Sequence, residues 1–448
     1  YAGNDPTGVA TRAAFLDTIV NPQDGSWSPV TQRMVHFGFL LMMHNGGNQD
    51  DAASASQSKS SVCKGRFDKA EVPWVDFAIR IILGCFQHHV SAREKIIDQL
   101  VNSIIVQDKG SKIAIKLLAR IIKRHPLDID HKLTSRLQEC LEYVTHMSPR
   151  NARLLFSSLS PLLKVRPNIK GFLILTLRKA MFRKDEESRM IAIIGFSFLL
   201  CLSSTVFSRS STLTQLYSQN TTILLSQGVQ GGSVDSEIAT QEHANAVVAE
   251  DLYRQFCGIF KRAFQLQTRV RLVLYAELDK VLRECPTLRP SILELAFQHY
   301  LKYYDDNESI LPPLKVDSCL ARKRGLYEEP LGYLLHVLFI CVSEIKKDYV
   351  GETEVEDMFG DDDIPATQTA GAQKSFDTVE QNISILMERM KRCELSDFEI
   401  DKNLSFAAQT AMGQSNQRLA NILLDIWEVC MNWTIVSSGG IKMDENTG

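Results

Sequence analysis

The sequence has few of the features that mark secreted, metal-binding or membrane-spanning proteins. Its ten cysteines are scattered over 448 residues without a Cys-x-x-Cys pair, so neither a zinc ribbon nor a small disulfide scaffold is expected. The strongest apolar run, Ile191 to Leu202, is shorter than the ~20 residues that a membrane-spanning helix needs. The sequence does not begin with the positively charged segment and following apolar segment of a signal peptide. We expect a protein of a reducing compartment, with no membrane contact, that forms the central part of a longer chain.

Patterns that would indicate catalysis are also missing. The paired glycines, such as Gly46-Gly47 and Gly231-Gly232, lack the Lys-Ser/Thr pair of a phosphate-binding loop. His88 and His89 are adjacent, which turns their side chains about 100° apart on a helix and prevents them from chelating one ion. Cys285 has no companion base and is interpreted as a buried structural thiol. We therefore expect no enzyme, no cofactor and no metal site.

Helical periodicity is abundant, whereas the alternation typical of strands is scarce. Apolar residues recur at three- and four-residue steps, which align them on one face of an α-helix. The predicted helices are Val30–Met43, Trp74–His88, Ala92–Val106, Lys112–His125, His131–Thr145, Pro149–Lys164, Ile169–Phe182, Glu186–Leu202, Ala246–Phe264, Arg269–Arg283, Ser291–Tyr304, Pro330–Lys346, Phe376–Cys393 and Asn416–Trp433. Short turns between them predict antiparallel hairpins. The expected fold is all-α: a HEAT-like α-solenoid followed by a second helical domain.

Three low-complexity stretches interrupt the predicted helices. Residues 44–72 are rich in Gly, Ser, Ala and Asp, residues 203–242 in Ser and Thr, and residues 349–373 in acidic side chains. Such stretches are typical of disordered insertions and linkers. We expect a solenoid over residues 30–202 and a second helical domain over residues 243–448, with a regulatory loop between them.

Positive charge is concentrated in the predicted solenoid. Residues 109–184 carry seventeen Lys and Arg against four acidic residues, a net charge of +13 in a chain whose total is −3. Four of them fall within an arc of about 80° on one predicted helix; they are Lys112, Lys116, Arg120 and Lys123. A stripe of this kind is typical of binding to phosphate backbones, without sequence readout. A solvated helix face and a docking face for an acidic protein are the alternatives.

The helix predicted over Ile169–Phe182 carries a lysine at the edge of its apolar face. The apolar face consists of Ile169, Phe172, Leu173, Thr176, Leu177 and Ala180. On a helical wheel Arg178 lies opposite this face, whereas Lys179 lies on its flank. A flanking lysine places its methylenes along the apolar border, where a neighbouring surface can cover it. An ordinary solvated lysine is the alternative.

Four collinear stretches carry a resemblance to a known family. They are Gly171–Phe182, Leu159–Val165, Leu311–Cys319 together with Glu329–Leu335, and Glu394–Lys402. Taken in the order in which they follow one another along the chain, they resemble the central region of the Fanconi anaemia group I family. The resemblance covers essentially the whole chain and implies that residues 1–29 end a preceding helical domain.

The resemblance also implies a function. Lys179 matches the family's regulated ubiquitin acceptor, modified by a ubiquitin-conjugating enzyme and the Fanconi core ligase. The implied protein is a nuclear scaffold that pairs with a paralogous subunit on duplex or branched DNA in interstrand crosslink repair. Further DNA contacts are then expected at Lys164, Arg166, Lys170 and Arg178. A generic HEAT-type or transport scaffold remains the alternative.

The Ser/Thr-rich loop contains a repeated dipeptide. Thr214, Ser218 and Ser226 each precede Gln, the pattern that DNA-damage checkpoint kinases modify, and the family is similar in having a phosphorylated cluster there. Each phosphate would add about −1.5 to −2 charges beside a basic surface. We expect phosphorylation at these residues to regulate Lys179, although incidental glutamines are the alternative.

Overall fold

A computed structural model describes residues 6–20, 28–46, 73–107, 110–204, 234–320, 329–356, 369–400, 403 and 405–437. The chain divides into two compact units, Tyr1–Gly195 and Phe196–Gly448. The described residues form α-helices with short 3-10 turns and contain no β-strand. The predicted all-α class is confirmed.

The first unit is a stack of helical hairpins. Its helices are α1 (Pro6–Val20), α2 (Ser28–Gly46), α3 (Pro73–His88), α4 (Val90–Val106), α5 (Ser111–Arg124), α6 (His131–Glu142), α7 (Pro149–Val165), α8 (Pro167–Met181) and the start of α9 (Glu186–Ser204). Helices α1, α3, α5 and α7 contact one another in succession, and so do α2, α4, α6 and α8. These two layers, joined hairpin by hairpin, are the architecture of the expected α-solenoid.

Local sequence signals set most helix starts in this unit. The Ser148 hydroxyl accepts a bond from the Asn151 N–H at 3.3 Å and caps α7. The Asp185 carboxylate accepts from the Ser188 N–H at 2.9 Å and caps α9. Helix α8 begins at Pro167, one residue before Asn168, and has no side-chain cap. Proline at the first helical position starts the helix without a side-chain cap.

The second unit contains the end of α9 and six further described helices. They are α10 (Val234–Ala263), α11 (Thr268–Glu284), α12 (Arg289–Tyr300), α13 (Leu331–Glu356), α14 (Thr369–Arg392) and α15 (Ala411–Ser437). Helix α13 contacts α11, α12 and α15 and lies at the centre of the unit. Its residues Leu331, Leu334, Leu335 and Leu338 are all buried.

A buried carboxylate cross-links this second unit. Glu329, fully buried, accepts bonds from Arg271 Nη1 at 2.6 Å and from the Tyr275 hydroxyl at 2.5 Å. His299 Nε2 lies 3.0 Å and the Tyr303 hydroxyl 3.3 Å from the same carboxylate. Burial raises the pKa of Glu329, but the hydrogen bonds from His299 and Tyr275 and the nearby positive charges outweigh it, so the pKa lies below its ordinary value.

Several helices extend beyond the predicted boundaries. Helix α1 was not predicted, α2 reaches Gly46 inside the predicted insertion 44–72, and α10 starts at Val234 inside the predicted loop 203–242. Helices α13 and α14 enter the predicted linker 349–373 from both sides. These segments lack the apolar stripe by which the other helices were predicted. The remaining parts of the three predicted loops lie outside the described residues.

Two described helices are long and apolar enough to cross a membrane by length and composition alone. Of the most apolar 18-residue stretch of each helix, 78% is buried within the protein in α9, whereas only 28% is buried in α15. A buried core helix passes this test as readily as a membrane helix does, so the test carries little weight for α9. The expected absence of membrane contact stays a prediction.

Candidate nucleic-acid interface and acceptor lysine

The basic stripe on α5 lies opposite a buried apolar face. Leu117, Leu118, Ile121 and Ile122 are fully buried, which fixes the rotation of the helix. Lys116 and Lys123 are exposed, whereas Lys112 and Arg120 are half-buried. The structure thus brings the four predicted residues onto one outward side of the first helical layer.

Helix α3 adds cations that the sequence pattern did not reveal. A surface groove between α3 and α5 is lined by Asp76, Ile79, Arg80 and Leu83 from α3 and by Arg120, Lys123 and Arg124 from α5. Arg80 was missed because the periodicity of one helix cannot show which neighbour packs beside it. The only sequence signal was its four-residue spacing from Asp76.

The other predicted DNA contacts lie elsewhere in the solenoid. Lys164 ends α7, whereas Lys170 and Arg178 belong to α8, in the layer that does not contain α5. Burial lowers the pKa of both Lys164 and Lys170. The eight predicted contacts therefore do not form one continuous surface on a single helical layer.

Arg166, between α7 and α8, is partly committed to the fold. Its Nη2 donates to the Ile129 carbonyl at 2.9 Å, and its side chain is half-buried. This bond ties the α7–α8 turn to the segment before α6. A phosphate would have to share the guanidinium with that structural contact.

Lys179 is exposed. It lies on the open side of α8 between Leu175, one turn earlier, and Phe182, just after the helix ends. Leu175 is 57% exposed and Phe182 is 64% exposed. On its other side Thr176, three residues earlier, is half-buried. Lys179 thus lies between half-buried and exposed side chains, and its role as an acceptor stays a prediction.

The helix that carries Lys179 packs closely against α9 and is hydrogen-bonded at its C-terminal end. Leu177 is fully buried against Gly195 of α9. In the α8–α9 turn, Arg183 Nη1 donates to the Thr145 hydroxyl at 2.5 Å, and the Ser188 hydroxyl donates to the Thr145 carbonyl at 3.1 Å. These contacts fix the end of α8 to the 3-10 turn that follows α6. Lys179 is consequently presented from a rigid element.

The remaining predicted sites have no described geometry. Thr214, Ser218 and Ser226 lie outside the described residues. Among the described residues, no group of three or more His, Cys, Asp or Glu side chains is arranged to hold a metal ion. Cys285, interpreted as a structural thiol, is fully buried and donates to the Ser204 hydroxyl at 3.2 Å.

The architecture defines a class, that of helical-repeat proteins with a basic outer surface. Comparison with known proteins identifies the family within this class. Sequence models described as FANCI solenoid 2 and FANCI helical domain 2 match residues 30–197 and 224–446. The chain belongs to the Fanconi anaemia group I protein family, which confirms the resemblance.

Two curated relatives agree with this assignment. The Fanconi anemia group I protein homolog of Mus musculus is 28% identical over 433 residues, and the Fanconi anemia group I protein of Gallus gallus is 27% identical over 427 residues. Each alignment covers 94% of this chain and 30% of the relative. The chain thus spans about a third of the length of these proteins.

Proposed function

We propose that this chain is part of a nuclear, non-enzymatic scaffold of the Fanconi anaemia pathway that binds duplex or branched DNA and accepts ubiquitin on Lys179. It pairs with a paralogous subunit and acts in interstrand crosslink repair. The observation that carries the proposal is the presentation of Lys179: an exposed amine on a well-packed helix, beside the exposed apolar side chains of Leu175 and Phe182. The concentration of positive charge on the same solenoid supports the DNA-binding part.

The apolar surroundings of Lys179 support regulation by a partner. Exposed Leu175 and Phe182 are costly to leave in water and favourable to bury at a protein interface. A paralogous subunit that covers them also restricts access to Lys179. DNA that favours another arrangement of the pair would then expose the amine, through a shift in population rather than a change at the lysine itself.

The ubiquitin experiment compares Lys179→Arg with Lys170→Arg. Both changes keep charge and helix propensity, so neither should change stability by more than about 0.5 kcal/mol. Incubation with the ubiquitin-conjugating enzyme, core ligase, paralogous subunit and duplex DNA should modify Lys170→Arg but not Lys179→Arg. Peptide mass spectrometry identifies the modified residue.

Lys170 is an informative control because it lies on the same helix and burial lowers its pKa, which favours its reactive neutral amine. Selection of Lys179 over Lys170 would therefore reflect the position of the lysine rather than its basicity. Ubiquitin remnants mainly at Lys170 or Lys184, with Lys179→Arg fully modified, would refute the assignment.

The DNA experiment reverses charge on the α5 stripe. Replacing Lys112, Lys116 and Arg120 by Glu should weaken duplex binding equally for unrelated sequences. The slope of log K against log salt should flatten by roughly 0.9 for each phosphate that the variant no longer neutralises. Fluorescence anisotropy at several salt concentrations measures both quantities.

A matched control reverses three cations of the second unit, Lys261, Arg262 and Lys302, all of them exposed. This variant has the same net charge as the stripe variant but retains the stripe, so its slope should stay closer to that of the unmodified chain. Equal reductions in both variants would indicate non-specific attraction. Tight binding of an acidic protein without duplex binding would favour the generic HEAT-type scaffold.

A further inference from the structure

One carboxylate lies inside the basic groove between α3 and α5. Asp76 Oδ2 is 2.8 Å from Arg80 Nε on its own helix, and Asp76 Oδ1 is 3.9 Å from Arg120 Nη1 on α5. Both carboxylate oxygens therefore face guanidinium groups, one from each helix. Lys123 and Arg124 line the same groove, so four cations surround a single anion.

Surface charge pairs of this kind contribute little to the stability of a fold. The side chains of Asp76, Arg80 and Arg120 remain 36%, 65% and 39% exposed, and exposed pairs are worth at most about 1 kcal/mol. The groove would be more attractive to an anion without Asp76, since its carboxylate repels negative charge. Its position is thus hard to explain by stability alone.

Arg80 is within hydrogen-bond distance of the carboxylate and Arg120 is within ion-pair distance of its other oxygen, and paired guanidinium groups are the residues that suit recognition of an oxyanion. We propose that Asp76 occupies the position that a DNA backbone phosphate takes in the complex, and that it restrains the affinity of the groove for DNA. Phosphate binding separates the carboxylate from Arg80 and Arg120, which then bond to the phosphate. This inference rests on the proposed DNA-binding function and assigns one phosphate contact within it.

The test is a gain in binding by Asp76→Asn. The amide keeps the shape but removes the competing charge, so affinity for a 30-base-pair duplex at low salt should rise about two- to fivefold, the size expected of an exposed pair. The gain should shrink as the salt concentration rises, because it comes from removing a repulsion between exposed charges, which salt screens. Adding Arg80→Gln to Asp76→Asn should cancel the gain.

Asp98→Asn is the matched control. Asp98 Oδ1 lies 2.6 Å from Arg136 Nε, and its side chain is 35% exposed, close to the value for Asp76. Asp98 belongs to α4, in the layer that does not contain α3 and α5. The same change in net charge should therefore leave duplex affinity nearly unchanged there.

The outcomes separate this inference from the proposed function. An unmodified chain that binds duplex, with an Asp76→Asn variant that binds no more tightly, would overturn the inference alone. So would equal gains in Asp76→Asn and Asp98→Asn, since only net charge would then matter. An unmodified chain and an Asp76→Asn variant that both fail to bind duplex would refute the DNA-binding function and the inference together.

Discussion

The rigidity of the helix that carries Lys179 depends on a close contact between α8 and α9. A Cβ atom added to Gly195 would lie 2.5 and 2.6 Å from the two Cδ atoms of Leu177, well inside normal contact. Leu177 is fully buried, so its side chain would have to shift within the core. Gly195→Ala should therefore force the two helices apart or move Leu177 off its rotamer.

Comparison with Gly171→Ala isolates the cost of this clash. A Cβ atom at Gly171, also in a helix interior, would meet nothing within 4 Å. Both substitutions gain about 1 kcal/mol of helix propensity, but Gly195→Ala alone incurs an overpacking cost of about 1–3 kcal/mol. Gly171→Ala should thus be stabilising, and the two variants should differ by about 1–3 kcal/mol.

Scanning calorimetry of the 448-residue chain measures this difference. For a unit of this size, each kcal/mol shifts the midpoint by about 2–4 °C, so the two variants should be separated by about 2–12 °C. Leu177→Ala in the Gly195→Ala background should cost less than the sum of the single changes, because the added methyl group fills part of the cavity. Equal midpoints for Gly195→Ala and Gly171→Ala would refute the close α8–α9 contact.

Three further predictions concern other parts of the chain. Glu329→Gln should lower the free energy of unfolding by about 3–5 kcal/mol, because it leaves the buried Arg271 without its anion. Calorimetry should show a shift in the unfolding transition of the second unit only. A shift in the transition of the first unit would contradict this prediction. Because the folded pKa of Glu329 is lowered, its contribution is present above the unfolded value and disappears as pH falls through the folded value, so the variant should lose less stability on acidification. Ser148→Ala should cost about 1 kcal/mol by removing a helix cap, whereas Ser160→Ala, within α7, should not. Replacing Thr214, Ser218 and Ser226 by Ala should leave both midpoints unchanged yet reduce modification of Lys179 by ligase after checkpoint-kinase treatment; undiminished modification would remove these residues from the mechanism.

Much of the fold could be predicted because the helices are amphipathic and closely spaced. The apolar stripe of α5 has the same phase in the sequence as in the structure, since Leu117 and Ile121 are both buried. Helices without such a stripe were harder to predict from the sequence. Helix α1 and the first turns of α10 gave no periodic signal that distinguished them from polar linkers.

The candidate site could be predicted only within single helices. Lys112, Lys116, Arg120 and Lys123 share a face because helical spacing alone places them together. Arg80 and Asp76 joined them through packing of α3 beside α5, which no local pattern encodes. The exposure of Leu175 and Phe182 beside Lys179 was missed for a related reason: the wheel locates the apolar centre of α8 but cannot show which apolar side chains outside it remain uncovered.

The division of cations between two helical layers limits how DNA can bind this solenoid. Packed helices lie about 8–10 Å apart, so two layers with their side chains are about 20 Å thick, comparable to the width of a duplex. A straight duplex along α3 and α5 would contact Arg80 and Lys123 but not Arg178, which is exposed on α8 of the other layer. In the proposed function, the first layer therefore supplies the primary phosphate contacts. Arg178, adjacent to Lys179, is better placed to contact whatever approaches the acceptor lysine: the paralogous subunit, the ligase, or a second arm of branched DNA.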